Sequence, residues 1–255
     1  MKQQEREAKR LEKQRQKELE AIEKQKSQER RQVNKLRQKY ELTQEMTVLI
    51  SSDLSTSQEM FKVALDEVGA MYQLDPTARF PTSIQWQRIS GRRWSNSTGM
   101  WQPSTPKLEL EPYIAIILQA SDLIDLCQTA TLANHHQSVS DAFPTYQIVY
   151  IVAGLDEFYL KEQRSIQAAM NKRMRLTMTQ DTSHSNPKKA RNTTQPSMPK
   201  SVPDRSVVDQ MVIEMQLFSR KPCLVNHCRS CDVGMWIASL TEQIAFEPEI
   251  RYLQI

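Results

Sequence analysis

Acidic side chains follow two of the predicted strands, which is where many α/β enzymes place catalytic groups. Asp53 follows the first apolar run, and Asp122 and Asp125 follow the apolar run 113–118. Carboxylates at such positions can hold Mg²⁺ against a phosphodiester that is to be cleaved. A lysine or arginine beside them is the usual further requirement, and none lies near Gln119. Because aspartates at a helix start also act as caps and dipole partners, a hydrolytic site and a structural role both stay open.

A second group of potential ligands is a cysteine-rich segment with the spacing C-x4-C-x2-C and an adjacent histidine. Zinc needs four ligands that converge tetrahedrally, but Cys223 falls in a predicted strand and Cys231 at the start of a predicted helix. We therefore predict reduced, packed thiols and no metal site. The residues concerned are Cys223, His227, Cys228 and Cys231.

Two further histidines, His135 and His136, lie in a predicted polar loop at 134–144. They are predicted to face solvent rather than to bind metal.

Cations alternate with aromatic residues in the region 86–101, and a turn-rich loop is predicted over 90–106. Such a mixture can grip phosphates and stack on unpaired bases. The tryptophans could equally fold back onto the core, so both interpretations are kept. The candidates for DNA contact are Arg88, Arg92, Arg93 and Trp94.

Two basic clusters, separated by twelve residues, resemble a bipartite nuclear import signal. The second cluster lies in a polar, proline-containing segment, 177–205, which has too little apolar surface to order itself and is predicted to be a flexible insertion. The alternative is a solvated helix end followed by a solubilising linker. The candidate import residues are Lys172, Arg173, Arg175, Lys188, Lys189 and Arg191.

Composition separates the chain into an arm and a core. Residues 1–45 hold 14 Lys and Arg, 9 Asp and Glu, and no Gly or Pro. The other residues hold 20 Lys and Arg and 21 Asp and Glu. The arm is predicted to be a charged helix, either solvated or in a coiled-coil contact, and its charge favours a polyanionic partner. No stretch of 18 uninterrupted apolar residues occurs, so a transmembrane helix is not expected. The charged N-terminal residues are not expected to form a secretory signal.

Two apolar runs with no polar face, 113–118 and 146–153, are typical of strands that are buried on both sides. They predict an α/β domain, over residues 46–250, whose sheet is covered by helices on both faces. Its further elements are predicted as strands at 47–50, 83–89 and 223–225 and helices at 55–74, 121–132, 156–176, 207–218 and 231–246.

This order of strands and helices resembles the core of the restriction-endonuclease-like nucleases, and among these the XPF-type structure-specific endonucleases. Active subunits of that type carry Gly-Asp, then Glu-Arg-Lys and, after three further residues, Asp. If that last Asp is aligned with Asp125, Glu-Arg-Lys falls on Gln119, Ala120 and Ser121. The chain contains neither a Gly-Asp nor a Glu-Arg-Lys sequence.

The chain most resembles the non-catalytic partner subunit of the crossover junction endonuclease heterodimer. The features that carry this resemblance are a strand at 148–154 followed by Leu-Asp-Glu-Phe-Tyr at 155–159, a helix with Val208-Asp209-Gln210 and Gln216-Leu217, and a tryptophan-containing last helix at 232–244. The resemblance implies no catalytic residue here, Mg²⁺ in a catalytic partner subunit, branched DNA as substrate in recombination and repair, and a nuclear location. Family members continue into helix-hairpin-helix motifs, which are expected to be absent because the sequence ends at Ile255.

Two alternatives to this function stay open. An active metal-dependent nuclease would use a rearranged site of Asp53, Asp122 and Asp125. A coiled-coil scaffold would use its α/β domain to bind only protein and would have no role on DNA.

Overall fold

The computed structural model describes residues 2–35, 37–181 and 202–253. Within these residues the strands are β1 (Met46–Ser51), β2 (Met71–Asp75), β3 (Ser83–Ser95), β4 (Met100–Gln119), β5 (Gln147–Ala153) and β6 (Cys223–Cys228). The α-helices are α1 (Lys2–Val33), α2 (Lys39–Thr43), α3 (Gln58–Val68), α4 (Ala120–Gln128), α5 (Leu132–Ala142), α6 (Leu155–Asp181), α7 (Arg205–Phe218) and α8 (Val233–Leu253). Short 3-10 helices lie at Ser52–Ser57 and Ser230–Asp232.

The strands form one mixed sheet in the order β2-β1-β3-β4-β5-β6. β1 runs parallel to β2 and antiparallel to β3, β3 and β4 form an antiparallel hairpin, and β4, β5 and β6 run parallel to one another. The carboxyl ends of β1, β4 and β5 therefore lie at the same edge of the sheet. Tyr113 pairs with Gln147 and Gln119 pairs with Ala153, so β4 and β5 end level with each other.

Both faces of the central strands are buried, as their apolar sequences predict. In β4, Ile114, Ile116 and Leu118 pack with α4, α5 and α7, whereas Ala115 and Ile117 pack on the other face with α3 and α8. This sheet between two helical layers confirms the predicted α/β class. The chain order is β1, α3, β2, β3, β4, α4, α5, β5, so the predicted order of strands and helices is present with β2 and α5 added, and the charged helix α1 precedes it. None of the helices in the described part of the chain is both long and apolar enough to cross a membrane.

The predicted helix over 55–74 is wrong in its second half. α3 ends at Val68, and the chain returns to the sheet as β2. Gly69 adopts φ +74°, a left-handed conformation that ends helices and that glycine adopts without steric cost. A Cβ at Gly69 would also lie 2.7 Å from the ring of Tyr40. Met71, which falls inside the predicted helix, is exposed on β2.

Several other element predictions need correction. Residues 90–106, predicted as a loop, form the outer part of the β3–β4 hairpin, with its turn at 96–99. Most of the predicted polar connection at 134–144 belongs to α5. α4 begins at Ala120 with Gln119 as its N-cap residue, rather than with Ser121. The predicted insertion overlaps the end of α6 and the first residue of α7, and residues 182–201 lie outside the described residues.

Side chains from the sheet hold α8 in place. Trp86 Nε1, on β3, donates a 2.8 Å hydrogen bond to Thr241 Oγ1, which in turn donates to the carbonyl of Ile237. Further along β3, Arg92 forms a buried ion pair with Glu249. These contacts lie between residues far apart in sequence, so they fix the position of α8 on the sheet.

Arg88 compensates for a break in the hydrogen bonding of α8. Pro248 lies inside this helix and has no N–H, so the carbonyl of Ile244, four residues earlier, has no helical donor. Arg88 Nη2 donates a 2.8 Å hydrogen bond to that carbonyl, and Arg88 Nη1 donates a 3.0 Å hydrogen bond to the carbonyl of Ala245. Its Nε pairs with the Glu111 carboxylate on β4. One buried guanidinium group thus joins β3, β4 and α8.

We expect Arg88→Met to lower the free energy of unfolding by about 3–5 kcal/mol, because it leaves a largely buried carboxylate and the carbonyl of Ile244 without their donor. Urea unfolding followed by circular dichroism measures this change. The matched control is Lys107→Met, which removes an exposed pair with Glu109 and should cost at most about 1 kcal/mol. Equal effects of the two variants would show that the Arg88 network contributes no more than a surface ion pair.

Candidate functional site

The residues aligned with the Glu-Arg-Lys sequence lie at the carboxyl end of β4. Gln119 is exposed as the last residue of the strand, Ala120 is buried at the start of α4, and Ser121 is exposed. The Ser121 hydroxyl lies 3.4 Å from Asp122 Oδ1. An amide, a methyl group and a hydroxyl therefore occupy these places. None of them titrates near neutral pH, so none supplies an anionic metal ligand or a cation.

The acidic residues of the alternative site are spread over two elements. Asp53 follows β1 and accepts a hydrogen bond from Ser51 Oγ, whereas Asp122 and Asp125 lie on α4, and all three carboxylates are exposed. β3 separates β1 from β4 in the sheet, so these two strands lie roughly 10 Å apart. Within the described residues, no group of three or more His, Cys, Asp or Glu is arranged to hold a metal ion.

Two of the four predicted DNA contacts are engaged inside the protein. All three nitrogens of the Arg88 guanidinium bond to protein groups, so we no longer include Arg88 among the DNA contacts. Arg92 pairs with Glu249, and these side chains are only 7% and 2% exposed. Arg92 also lies over Trp101, with its Cζ 4.5 Å from the ring centroid.

The outer part of the hairpin carries the other two candidates. Trp94 pairs across the hairpin with Trp101, and their rings meet edge to face with centroids 5.4 Å apart. Arg93 is exposed and takes part in none of the ion pairs found among the described residues. The side-chain amide of Asn34, just after α1, bonds to both the N–H and the carbonyl of Trp101. The basic arm therefore joins the core beside this hairpin.

A cavity of about 500 Å³ lies between the hairpin and the C-terminal part of α8. Sequence reasoning missed this cavity, because the helix that contributes to it follows the hairpin by more than a hundred residues. The only signal of the cavity in the sequence is the alternation of Arg and Trp. The residues that line the cavity include Arg92, Arg93, Trp94, Trp101, Glu109 and Pro248.

The cysteine-rich segment does not converge on one point. β6 places Cys223 in the core on one face of the sheet and Cys228 against the core on the other, because residues an odd number apart on a strand point to opposite faces. His227 and Cys231 are exposed. Cys127, Cys223, Cys228 and Cys231 are free thiols. The predicted packing is present at Cys223 and Cys228, but the prediction is wrong for Cys231, which is exposed.

The prediction for the two histidines is wrong. Both lie in α5, and His136 is buried. Its Nε2 is 2.9 Å from the carbonyl of Lys221, and its Nδ1 is 3.1 Å from the Tyr150 hydroxyl. Since a carbonyl only accepts, Nε2 carries a proton, and Nδ1 can accept from Tyr150, whose pKa is raised by burial. His135 is half-buried, and burial, followed by the neighbouring His136, lowers its pKa.

No protein-family model matches the sequence, and no curated protein matches it. Among solved structures, the chain is similar to XPF from Aeropyrum pernix in complex with DNA, with a TM-score of 0.40 and 9% sequence identity. The similarity covers 79% of this chain and 66% of that chain, just under two thirds of its length. The described core itself is an α/β protein with one mixed sheet between helices.

We expect the four thiols to differ sharply in reactivity. Cys231 should be alkylated first in the native chain because it is exposed, whereas Cys127 and Cys223 should react only after unfolding. Burial raises the pKa of both buried thiols, that of Cys223 to about 11, so their thiolates are scarce near neutral pH. Timed labelling with iodoacetamide and mass spectrometry measures each rate.

The control for this labelling is the chain in denaturant, where all four thiols should react at similar rates. Added Zn²⁺ should leave the rate at Cys231 unchanged. Protection of Cys231 by Zn²⁺ would contradict the prediction that the cysteine-rich segment binds no metal.

Proposed function

We propose that this chain is a nuclease-like subunit that does not cut, the non-catalytic partner in a heterodimeric structure-specific endonuclease. It positions branched DNA, such as junctions, flaps and forks, in recombination and repair. The partner subunit binds Mg²⁺ and hydrolyses the phosphodiester.

The observation that carries this proposal is the carboxyl end of β4. Ile114 and Ile116 keep the strand buried in the core, and Ala120 is buried where the helix begins. Gln119, Ala120 and Ser121 occupy the places that the resemblance assigns to an acid and two cations. The packing function of the strand is therefore retained, while the residue types needed for metal-dependent hydrolysis are replaced.

The β3–β4 hairpin supports a role on DNA. Its Arg93 is exposed on the face opposite to the Trp94–Trp101 pair, and Asn34 joins the hairpin to the end of α1. The arm 1–45 carries 14 basic and 9 acidic residues. Cations placed in this way attract phosphates without reading the base sequence, as suits a protein that recognises DNA by its shape.

The end of α7 supports a protein partner. Ile213 and Leu217 lie one helical turn apart, and Phe218 follows them. These side chains are exposed, Leu217 by 69% and Phe218 by 80%. Large apolar side chains grouped on a surface are typical of protein interfaces. We propose that the catalytic subunit covers this end of α7.

The purified chain alone should bind a four-way junction more tightly than a linear duplex of the same length, and it should cleave neither in Mg²⁺. Fluorescence anisotropy at several salt concentrations measures the affinity, which should fall with salt according to the number of phosphates contacted. Gel electrophoresis of labelled DNA measures cleavage. The variants Asp122→Asn and Asp125→Asn should alter neither result.

Two results would contradict this proposal. Cleavage by the chain alone that Asp122→Asn or Asp125→Asn abolishes would establish the rearranged active site. Failure to bind the junction, both alone and with a co-expressed nuclease subunit, would favour the scaffold that binds only protein.

We also propose that the chain enters the nucleus through its basic clusters. Lys172, Arg173 and Arg175 lie on the exposed surface of α6, whereas the second cluster, Lys188, Lys189 and Arg191, lies outside the described residues. A fluorescent fusion should be nuclear, and alanine at the three α6 cations should shift it towards the cytoplasm. The matched control replaces Arg10, Lys13 and Lys17 of the arm and should stay nuclear. Equal distributions of the two variants would contradict the import role.

A further inference from the structure

Two buried donors near the hairpin have no acceptor. Arg92 Nη1 and Trp101 Nε1 are both buried, and neither bonds to any group among the described residues. Both side chains line the cavity of about 500 Å³ between the hairpin and α8. Buried donors are nearly always paired, because an unpaired one has lost its water without a replacement. Two unpaired donors at one cavity therefore point to an acceptor that comes from outside the chain.

The ion pairs around the cavity leave little net charge on its lining. These pairs are Arg88–Glu111, Arg92–Glu249 and Lys107–Glu109. Arg93 also borders the cavity, but it lies between Arg92 and Trp94 on β3 and pairs with Gln102, so its side chain points to the opposite face of the hairpin. The groups left without a partner at the cavity are therefore two donors, one of them on a guanidinium cation, and both require an oxygen acceptor.

The contacts of Trp101 favour a phosphate over a stacked base. The Arg92 guanidinium lies over its ring at 4.5 Å, and Trp94 meets it edge to face. A base would need an open aromatic face. A phosphate oxygen needs only donors, and an arginine together with an indole N–H supplies them. Asn34 holds the backbone of Trp101 on both sides, so the indole is already ordered before a ligand arrives.

We propose that this cavity binds a phosphate group, with Trp101 Nε1 and Arg92 Nη1 as its donors. The inference rests on the proposed function in one respect, since that function supplies the phosphate from a DNA strand. Arg92 Nη2 keeps its ion pair with Glu249, while Arg92 Nη1 donates a hydrogen bond to the phosphate.

The variant that isolates this contact is Trp101→Phe. It removes the unpaired N–H but keeps an aromatic ring for Arg92, and the bonds from Asn34 go to the backbone of residue 101. The matched control is Trp86→Phe, which removes an indole N–H that already bonds to Thr241. The control should lower stability and leave phosphate binding unchanged.

The chain contains four tryptophans, so its ¹H–¹⁵N spectrum contains four indole N–H signals. Inorganic phosphate, thymidine 5′-monophosphate and a single-stranded oligonucleotide without terminal phosphates are each titrated into the full chain. The signal that Trp101→Phe removes should move to lower field, and the signal that Trp86→Phe removes should not. A shift with the mononucleotide alone assigns the cavity to a strand end, and a shift with the oligonucleotide as well assigns it to internal phosphates.

Affinity for a four-way junction, measured by anisotropy, gives the second readout. Trp101→Phe should weaken it about tenfold, the usual loss for a hydrogen bond to a charged group, and Trp86→Phe should not. If the junction binds both variants equally and no indole signal moves, the cavity proposal is wrong while DNA binding stands. If phosphate moves the Trp101 signal but the junction does not bind, the cavity proposal stands and the proposed function fails. A shift caused by an acidic peptide and not by phosphate would overturn the phosphate assignment.

Discussion

Arg88 and Pro248 together determine how the sheet and the C-terminal helix fit together. Pro248 removes an N–H from the interior of α8, which leaves the carbonyl of Ile244 without a helical donor. The donor that replaces it must reach two carbonyls and the Glu111 carboxylate at once. A guanidinium group has five N–H donors in a fixed plane, whereas an ammonium group is a single point of charge. An arginine at this place on β3 is therefore required by the geometry of α8.

The rest of the hairpin depends on this connection. The base of the hairpin is tied to α8 by Trp86 and Arg88, and its middle by the pair of Arg92 with Glu249. Asn34 then holds the backbone at Trp101. Buried ion pairs contribute little net stability after desolvation, but they set the relative position of the elements that they join. In this protein they keep a long ribbon at a fixed distance from α8, and the cavity lies in the space between them.

The site could be predicted only in part, and the failures have one cause. Gln119, Ala120 and Ser121 were correctly placed at the end of a buried strand, because strand ends can be identified from local hydrophobicity. Arg88 resembled a phosphate ligand but binds a carboxylate, and Arg92 also pairs with a carboxylate through one of its nitrogens, since an arginine binds a phosphate and a carboxylate by the same bonds. Their acidic partners are 23 and 157 residues away in sequence, and no local pattern indicates them.

The two histidines show the same limit on a smaller scale. Leu132, His136 and Val139 recur at the spacing of a helix face, and all three are buried. This helical spacing is visible in the sequence, but the polar residues between these positions favour a loop. Tertiary packing decided the outcome, because Tyr150 and the carbonyl of Lys221 satisfy both nitrogens of His136 inside the core.

The sequence by itself determined the α/β class, the two buried central strands, the charged helix α1 and the non-ionising residues at the end of β4. These are properties of short segments, in which the order of apolar and polar residues is sufficient. Only the tertiary structure decided that β2 follows α3, that residues 90–106 form a hairpin, and which arginines are occupied. Those outcomes depend on contacts between residues that are distant in sequence, such as Tyr40 against Gly69 and Arg88 against the carbonyls beside Pro248. The two unpaired donors at the hairpin cavity follow from the same folding, because they are buried only in the folded structure.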